Sequence, residues 1–237
     1  MIAYITGTSS GIGKALAIKL LKEGHQVVGL SRTCTIDING YRHQYIDLSD
    51  VDSVSKFEFK TNSDEDVILV NNAGIIGPIK PFGHHVDKEI IDINTINVIS
   101  PQLLTNKFIN KFLHLSKNYQ IINISSGAGK KPLDAWSTYC ASKSAIDLFS
   151  ETIAQELKDR NHTNWHVFSI APGVVDTKMQ SEIRQSNPSE FLNHQKFVDL
   201  NDNNELSNPN YTAELLYKII SNPLKYSATV FSVKDLK

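Results

Sequence analysis

The sequence predicts an α/β fold, a parallel sheet with helices packed on both faces. Three observations predict it. Short apolar runs alternate with stretches of helical periodicity along the chain, the pattern of successive βαβ units. The apolar runs are continuous rather than alternating, as strands covered on both faces are. The first run, "IAYIT" (2–6), leads directly into a glycine-rich turn that opens a helix.

Taken in order, residues 2–6 form the first strand, and "KALAIKLLKEG" (14–24) is a helix that stops at Gly24. "QVVGL" (26–30) and "HQYIDL" (43–48) are the next strands, followed by a polar, partly helical stretch to about Asp66. "VILVNNAG" (67–74) is a strand broken by Asn-Asn and Gly. Residues 87–115 carry a long helical pattern that Pro101 either bends or divides. "YQIINISS" (119–126) and "WHVFSIAPG" (165–173) are strands flanking a helix over 136–159. "YTAELLYKII" (211–220) is the last helix and "ATVFSV" (228–233) the last strand. Residues 178–210 are polar and rich in Asn and Ser, so they are expected to be irregular and to act as a lid or binding segment. No linker, repeat or low-complexity block divides the chain, which is expected to form a single domain over residues 1–237.

A hydrophobic share of 41% with 21% charged residues fits a soluble protein with a full core. A net charge of -1 provides no field for nucleic acid or an acidic membrane, and neither is an expected partner. Two cysteines, Cys34 and Cys140, are too few for a disulfide framework. No apolar run reaches the roughly 20 residues of a membrane span, and the N-terminus lacks signal-peptide order. A cytoplasmic location is expected. His84 and His85 lack further ligands at metal-site spacing, so no metal is expected.

The turn "TGTSSGIG" (6–13) stands where a glycine-rich loop can serve a phosphate. Glycines allow the tight turn and the close approach of a pyrophosphate, and the helix N-terminus presents free N–H groups. The second strand ends "GLSRT" (29–33), with Ser31 and Arg32 where a ribose-binding carboxylate would favour NAD. A guanidinium suits a 2′-phosphate, so NADP(H) is favoured and NAD(H) is the alternative. Further along, "YCASK" puts Tyr139 and Lys143 four apart on one helix face. A nearby ammonium is expected to lower the phenol's pKa from about 10. Ser126 ends the preceding strand, where a parallel sheet opens its ligand crevice. Its hydroxyl can hold a carbonyl oxygen beside the phenol, and together the three have the parts for carbonyl reduction. Leu133, Asp134, Trp136, Met179 and Ile183 are candidates for a wall around an apolar or aromatic ketone.

Thr6–Gly13, "NNAG" (71–74), Asn97, "INISSGAG" (122–129), "YCASK" (139–143) and "PGVVDT" (172–177) occur in the order and spacing of the short-chain dehydrogenase/reductase family, which the chain resembles from residue 2 to about 180. The resemblance implies a Rossmann-type, doubly wound sheet of about seven parallel strands and NAD(P)-dependent hydride transfer. It implies that Tyr139 is the general acid/base, that Lys143 lowers its pKa and binds ribose, and that Ser126 orients the substrate, with Ser125 as fallback. It assigns Asn97 to a water-linked proton relay through Lys143. It places Gly7, Ser9, Ser10, Gly11, Ile12 and Gly13 at the pyrophosphate, Ser31 and Arg32 at the adenosine ribose, Asp47 and Leu48 at adenine, Asn72, Ala73 and Gly74 along the crevice, and Pro172, Gly173, Val175 and Thr177 at the carboxamide. It also implies a homodimer or homotetramer through the helices at 87–115 and 139–159. "INISSGAGK", "PGVVDTKMQSEIR" and the "SR" after the second strand resemble the branch holding bacterial benzil reductases and sepiapterin reductase. That branch implies NADPH and vicinal dicarbonyl or aromatic ketone substrates. Ser10 stands where many NADP-using relatives carry Arg or Lys, so phosphate recognition would rest on Arg32 and on neutral donors such as Thr8, Ser9 and Ser31. The rival readings are an NAD-dependent alcohol dehydrogenase of the same fold and a non-catalytic NADP(H)-binding regulatory protein.

Overall fold

The computed structural model describes residues 1–60 and 65–236. Seven strands form one parallel sheet in the order β3-β2-β1-β4-β5-β6-β7, comprising β1 (Ile2–Thr6), β2 (Gln26–Ser31), β3 (Tyr41–Tyr45), β4 (Val67–Asn71), β5 (Tyr119–Ile124), β6 (Trp165–Ala171) and β7 (Val230–Ser232). The chain winds outward in both directions from β1 and β4, so the sheet is doubly wound and its crevice opens where β1 meets β4. Every residue of β1, β4 and β5 is buried, which is why these strands read as unbroken apolar runs. Helices α1 (Gly11–Lys22) and α8 (Pro209–Ser221) close one face over Ile5, Leu16, Leu20, Val70 and Leu216. The other face carries α2 (Val51–Ser55), α4 (Ser100–Phe112) and α5 (Ser137–Asp159) over Tyr4, Phe59, Phe108, Phe112 and Trp165. Each fully buried aromatic or aliphatic side chain there contributes roughly 1.5–3 kcal/mol. Among the described residues, no helix is long and apolar enough to cross a membrane.

Several expected boundaries move, each for a local reason. The first helix starts at Gly11, because Ser10 is extended (φ -160°) and the glycine turn itself supplies the first helical turn. β3 runs over 41–45 rather than 43–48. It is a polar edge strand paired Val27↔Tyr41 to Ser31↔Tyr45, and the apolar Ile46 and Leu48 that suggested a later strand turn into the core beyond it. The polar stretch expected to reach Asp66 is helical only over α2, and residues 61–64 lie outside the described residues. The long pattern at 87–115 is divided: α3 (Asp87–Asn94), one π-helical turn (Thr95–Ile99), then α4 with Pro101 in its first turn, where a missing N–H costs nothing.

The largest correction concerns 178–210. It holds two helices, α6 (Lys178–Arg184) and α7 (His194–Asp202), and is not irregular throughout. Ile183, Phe191 and Phe197 are buried against Trp136, and this handful of widely spaced anchors orders an otherwise polar segment. The segment's two ends are tied by a parallel bridge, Val175↔Ser207, in which Asp176 N donates to Ser207 O at 2.9 Å and Ser207 N to Val174 O at 2.9 Å.

Gly13 shows how the fold holds the glycine turn. A Cβ there would come 2.4 Å from Gly7 O and 2.4 Å from Asn72 Nδ2. Gly13→Ala should therefore destabilise the protein by about 1–3 kcal/mol, measured by urea unfolding without dinucleotide.

Candidate active site

One open cleft of about 950 Å³ lies along the carboxyl ends of the strands, at the upper end of the usual size for small-molecule sites. It brings together the 7–12 turn except Thr8, Ser31 and Arg32 after β2, Asp47 and Leu48 after β3, Asn72, Ala73 and Gly74 after β4, and Ser126, Tyr139 and Lys143. Pro172, Gly173, Val175 and Thr177 after β6 complete the wall. Three sequence candidates stand elsewhere. Gly13 does not line the cleft and serves the close packing of α1 on Gly7. Thr8 is buried, with its hydroxyl 2.9 Å from Tyr41 Oη, so it is not available to a phosphate. Asn97 lies behind the wall: Oδ1 accepts from Ile75 N at 2.9 Å, while Nδ2 donates to Ile75 O at 2.8 Å and to Ser142 Oγ at 3.1 Å. Both amide hydrogens are committed, so any relay role is left with a lone pair on Oδ1. The π-helical turn is what swings this amide inward onto the strand end.

The residues fit a dinucleotide. Gly7 and Gly11 have φ of +74° and +57°, a conformation that leaves backbone rather than side chain at the turn. Ser10 makes no side-chain cap on α1, so the first N–H groups of the helix remain for an anion. A Cβ on Gly11 would reach within 3.2 Å of Thr177 Cγ2, and one on Gly74 within 3.2 Å of Asn97 Oδ1. The absence of these carbons keeps the floor clear. At the adenosine end, Ser31 Oγ is already spent on Thr33 O (2.8 Å), which leaves the exposed Arg32 and the half-buried Ser9 as side-chain donors there. Asp47 is held below the usual carboxylate range by the Ser49 hydroxyl and N–H, with a smaller contribution from Arg32.

At the other end, α5 presents Tyr139 and Lys143 to the cleft and is pinned to the sheet by side-chain hydrogen bonds. Asn123 Nδ2 donates to Ser150 Oγ at 2.8 Å, and Ser169 Oγ donates to Asp147 Oδ1 at 2.6 Å. Ser126 Oγ accepts from Ala128 N at 3.1 Å, and the Ser126 hydroxyl acts to lower the pKa of the Tyr139 phenol. Ser125 Oγ is buried with no partner among the described residues, so Ser126, not the fallback, meets the phenol. Met179 Sδ sits 3.9 Å from the Tyr139 hydroxyl.

The electrostatics depart from the sequence expectation. Burial pushes the Tyr139 phenol up to about 12, against a smaller lowering by the Ser126 hydroxyl. Burial likewise brings Lys143 down to about 8, with the Asp147 charge opposing. Lys143 Nζ donates to Ile124 O at 2.9 Å and lies 5.7 Å from the Tyr139 ring centroid, over the ring face rather than at the hydroxyl. Dehydration, not the ammonium, dominates the phenol.

Phe191 and Phe197, which no sequence signal singled out, stack on Trp136 at 5.6 and 5.2 Å. Phe197 forms an apolar pocket wall beside Tyr139 with Leu133, Trp136, Met179, Ile183 and Leu200, and the buried Phe191 packs behind it. Asp147 also lines the cleft; its i+4 spacing from Lys143 was the available signal. Among the described residues, no group of three or more His, Cys, Asp or Glu is placed to hold a metal.

A doubly wound sheet with a dinucleotide-sized cleft and a Ser–Tyr–Lys set at one end defines a nucleotide-dependent oxidoreductase. The sequence profile of short chain dehydrogenases matches residues 1–188, and the chain belongs to that family. Among its relatives is benzil reductase ((S)-benzoin forming) of Bacillus subtilis (strain 168), 35% identical over 240 residues that span 98% of this chain and 97% of that protein. The benzil reductase ((S)-benzoin forming) of Bacillus cereus is 32% identical over 91% of this chain and 92% of its own. A solved short-chain dehydrogenase/reductase from Saccharomyces cerevisiae shares the fold, with a TM-score of 0.84 at 22% identity over 99% of this chain and 96% of that one.

The opposed burial shifts set a stability curve. Between about pH 8 and 10 the unfolded chain keeps the Lys143 proton that the folded protein has lost, so stability rises with pH, by an amount on the order of 2–3 kcal/mol. Above about pH 10 the unfolded chain releases the Tyr139 proton that the folded protein keeps, and stability falls. Denaturant titrations across pH 7–11 should show the rise shrink in Lys143→Met and the fall lessen in Tyr139→Phe, with Tyr41 and Tyr119, also raised by burial, contributing to the fall that remains.

Proposed function

We propose that the protein is an NADPH-dependent carbonyl reductase acting on a vicinal diketone or aromatic ketone. The observation that carries this reading is a buried, protonated Tyr139 that shares its cleft with Ser126 and an aromatic wall. A phenol whose pKa is raised to about 12 keeps its proton at neutral pH, the protonation state that a general acid in ketone reduction requires. The similarity to two benzil reductases supports the substrate class.

The 7–12 turn, Arg32 and the Pro172–Thr177 wall would hold NADPH, which when bound would supply the hydride for the carbonyl carbon. Ser126 holds the carbonyl oxygen next to the phenol. Tyr139 gives its proton to the oxygen as negative charge develops there, and Lys143 stabilises the phenolate left behind. A proton from water then restores the phenol, so ketone, hydride and one proton yield the alcohol. Asn97 holds Ile75, and through it Gly74, in place at the cleft wall. The α6–α7 segment closes the substrate end as a lid, with Met179 against the reacting oxygen. Ile91, Ile99 and Leu148, all exposed, support self-association through α3–α5.

Tyr139→Phe should cut NADPH oxidation with benzil or 1-phenyl-1,2-propanedione by at least about a hundredfold, with NADPH affinity by fluorescence titration nearly unchanged. Comparable turnover by that variant would remove the mechanism. Arg32→Ala should weaken NADPH about tenfold or more and leave NADH unchanged; equal effects on both cofactors would overturn the NADP assignment.

A further inference from the structure

Among the described residues, Asp147 is the buried ionisable side chain of the cleft that this mechanism leaves unused. It is buried on α5, one helical turn after Lys143 and two after Tyr139, so the three share a stripe. Its Oδ1 accepts from Ser169 Oγ at 2.6 Å, while its Oδ2 is buried with no hydrogen-bond partner among the described residues. The turn Gly127–Gly129 closes directly over that oxygen: a Cβ on Gly129 would lie 2.9 Å from Asp147 Oδ2 and 3.1 Å from Lys143 O. Glycine at 129 is what lets the loop seal the carboxylate in. Ser144 Oγ, donating to Gly129 O, fastens the loop there at 2.6 Å.

A buried carboxylate oxygen without a hydrogen-bond partner is costly, and the solvent-exposed Lys130 ammonium 3.9 Å from this Oδ2 offsets it only weakly. Pinning α5 to the sheet does not account for it, because a neutral Asn could accept the Ser169 hydrogen bond equally well. A charge at this position has one buried recipient. We propose that Asp147 is a positioning residue for the reaction: its sealed carboxylate is the counter-charge that keeps Lys143 an ammonium inside the dehydrated cleft.

The surrounding charges leave that task to Asp147. Lys130 Nζ, from the loop before α5, lies 3.9 Å from Asp147 but is exposed and attenuated by solvent. Lys178 and Glu182 on α6, and Lys234 and Asp235 after β7, line the same cleft and are exposed. On α3, Lys88 and Asp92 pair with each other at 2.7 Å. The strand ends and the π-helical turn contribute only neutral groups here: Ser125, Ser169, Ile124 O and the Asn97 amide. Asp147 is the buried negative charge among them, and its attraction for Lys143 opposes the effect of burial.

The inference rests on the reductase reading for its purpose, and its test does not. Carbon-13-labelled lysine is incorporated and the Lys143 side-chain resonance, assigned with Lys143→Met, is titrated without dinucleotide or substrate. The wild-type amine should titrate near pH 8. In Asp147→Asn the midpoint should fall by about one pH unit or more, and Asp147→Glu, which keeps the charge, should recover most of the shift. Asp147→Ser, smaller and still able to accept from Ser169, serves if Asn does not fold. In ketone reduction the basic limb of the kcat–pH profile should move down by the same amount as the amine. Equal midpoints in the wild type and both neutral variants would overturn the proposal, whatever happens to kcat, and would leave Asp147 as a packing residue. A shifted amine in a protein that reduces no ketone would uphold the counter-charge and sink the reductase reading.

Discussion

The removal of water from one stripe of α5 is the constraint on which the chemistry depends. Tyr139 and Lys143 are both buried, and each is driven towards its neutral form. For the phenol this means a firmly held proton at neutral pH; for the amine it means a charge that requires support. The same low dielectric that penalises these charges also strengthens every interaction between them and a reacting oxygen. A phenol and an amine at the same spacing on an exposed helix would have neither property.

The fold produces that stripe by ordinary means. Parallel strands end together, so turns after β1, β4, β5 and β6 meet at one edge. Side-chain hydrogen bonds, Asn123 to Ser150 and Ser169 to Asp147, fix the rotation of α5 against the sheet. The glycines at 7, 11 and 74 keep side chains out of the nucleotide's path, and Gly13 draws α1 down against the turn. Asn97 buttresses the wall from behind through the backbone of Ile75. Catalytic geometry here follows from how strand ends and one helix are locked, rather than from any single loop.

Much of this was legible in the sequence. Continuous apolar runs such as "IAYIT" and the glycine turn directly after it specified a buried parallel sheet with a phosphate-sized opening. Tyr139, Lys143 and Ser126 were readable because spacing on a helix and position at a strand end are local properties. What could not be read depends on burial and long-range contact. Thr8 and Ser31 have the composition of phosphate donors, but their hydroxyls meet Tyr41 and His43 of the neighbouring strand. The direction of the phenol's shift turns on how dry its surroundings are, which no spacing reports. The order in 178–210 comes from Phe191 and Phe197 finding Trp136, more than fifty residues back in the chain. Polar composition hid those few anchors.

The bridge between Val175 and Ser207 has an evolutionary consequence. Because both feet of the α6–α7 arm are joined at one point, the arm is a closed loop hanging from the sheet. Lengthening or replacing such a loop adds only slowly growing closure entropy, on the order of 0.6 kcal/mol per doubling of length. Its sequence can therefore drift or be swapped as a cassette while the sheet and α5 stay untouched. Selectivity can diversify in this architecture without putting foldability at risk.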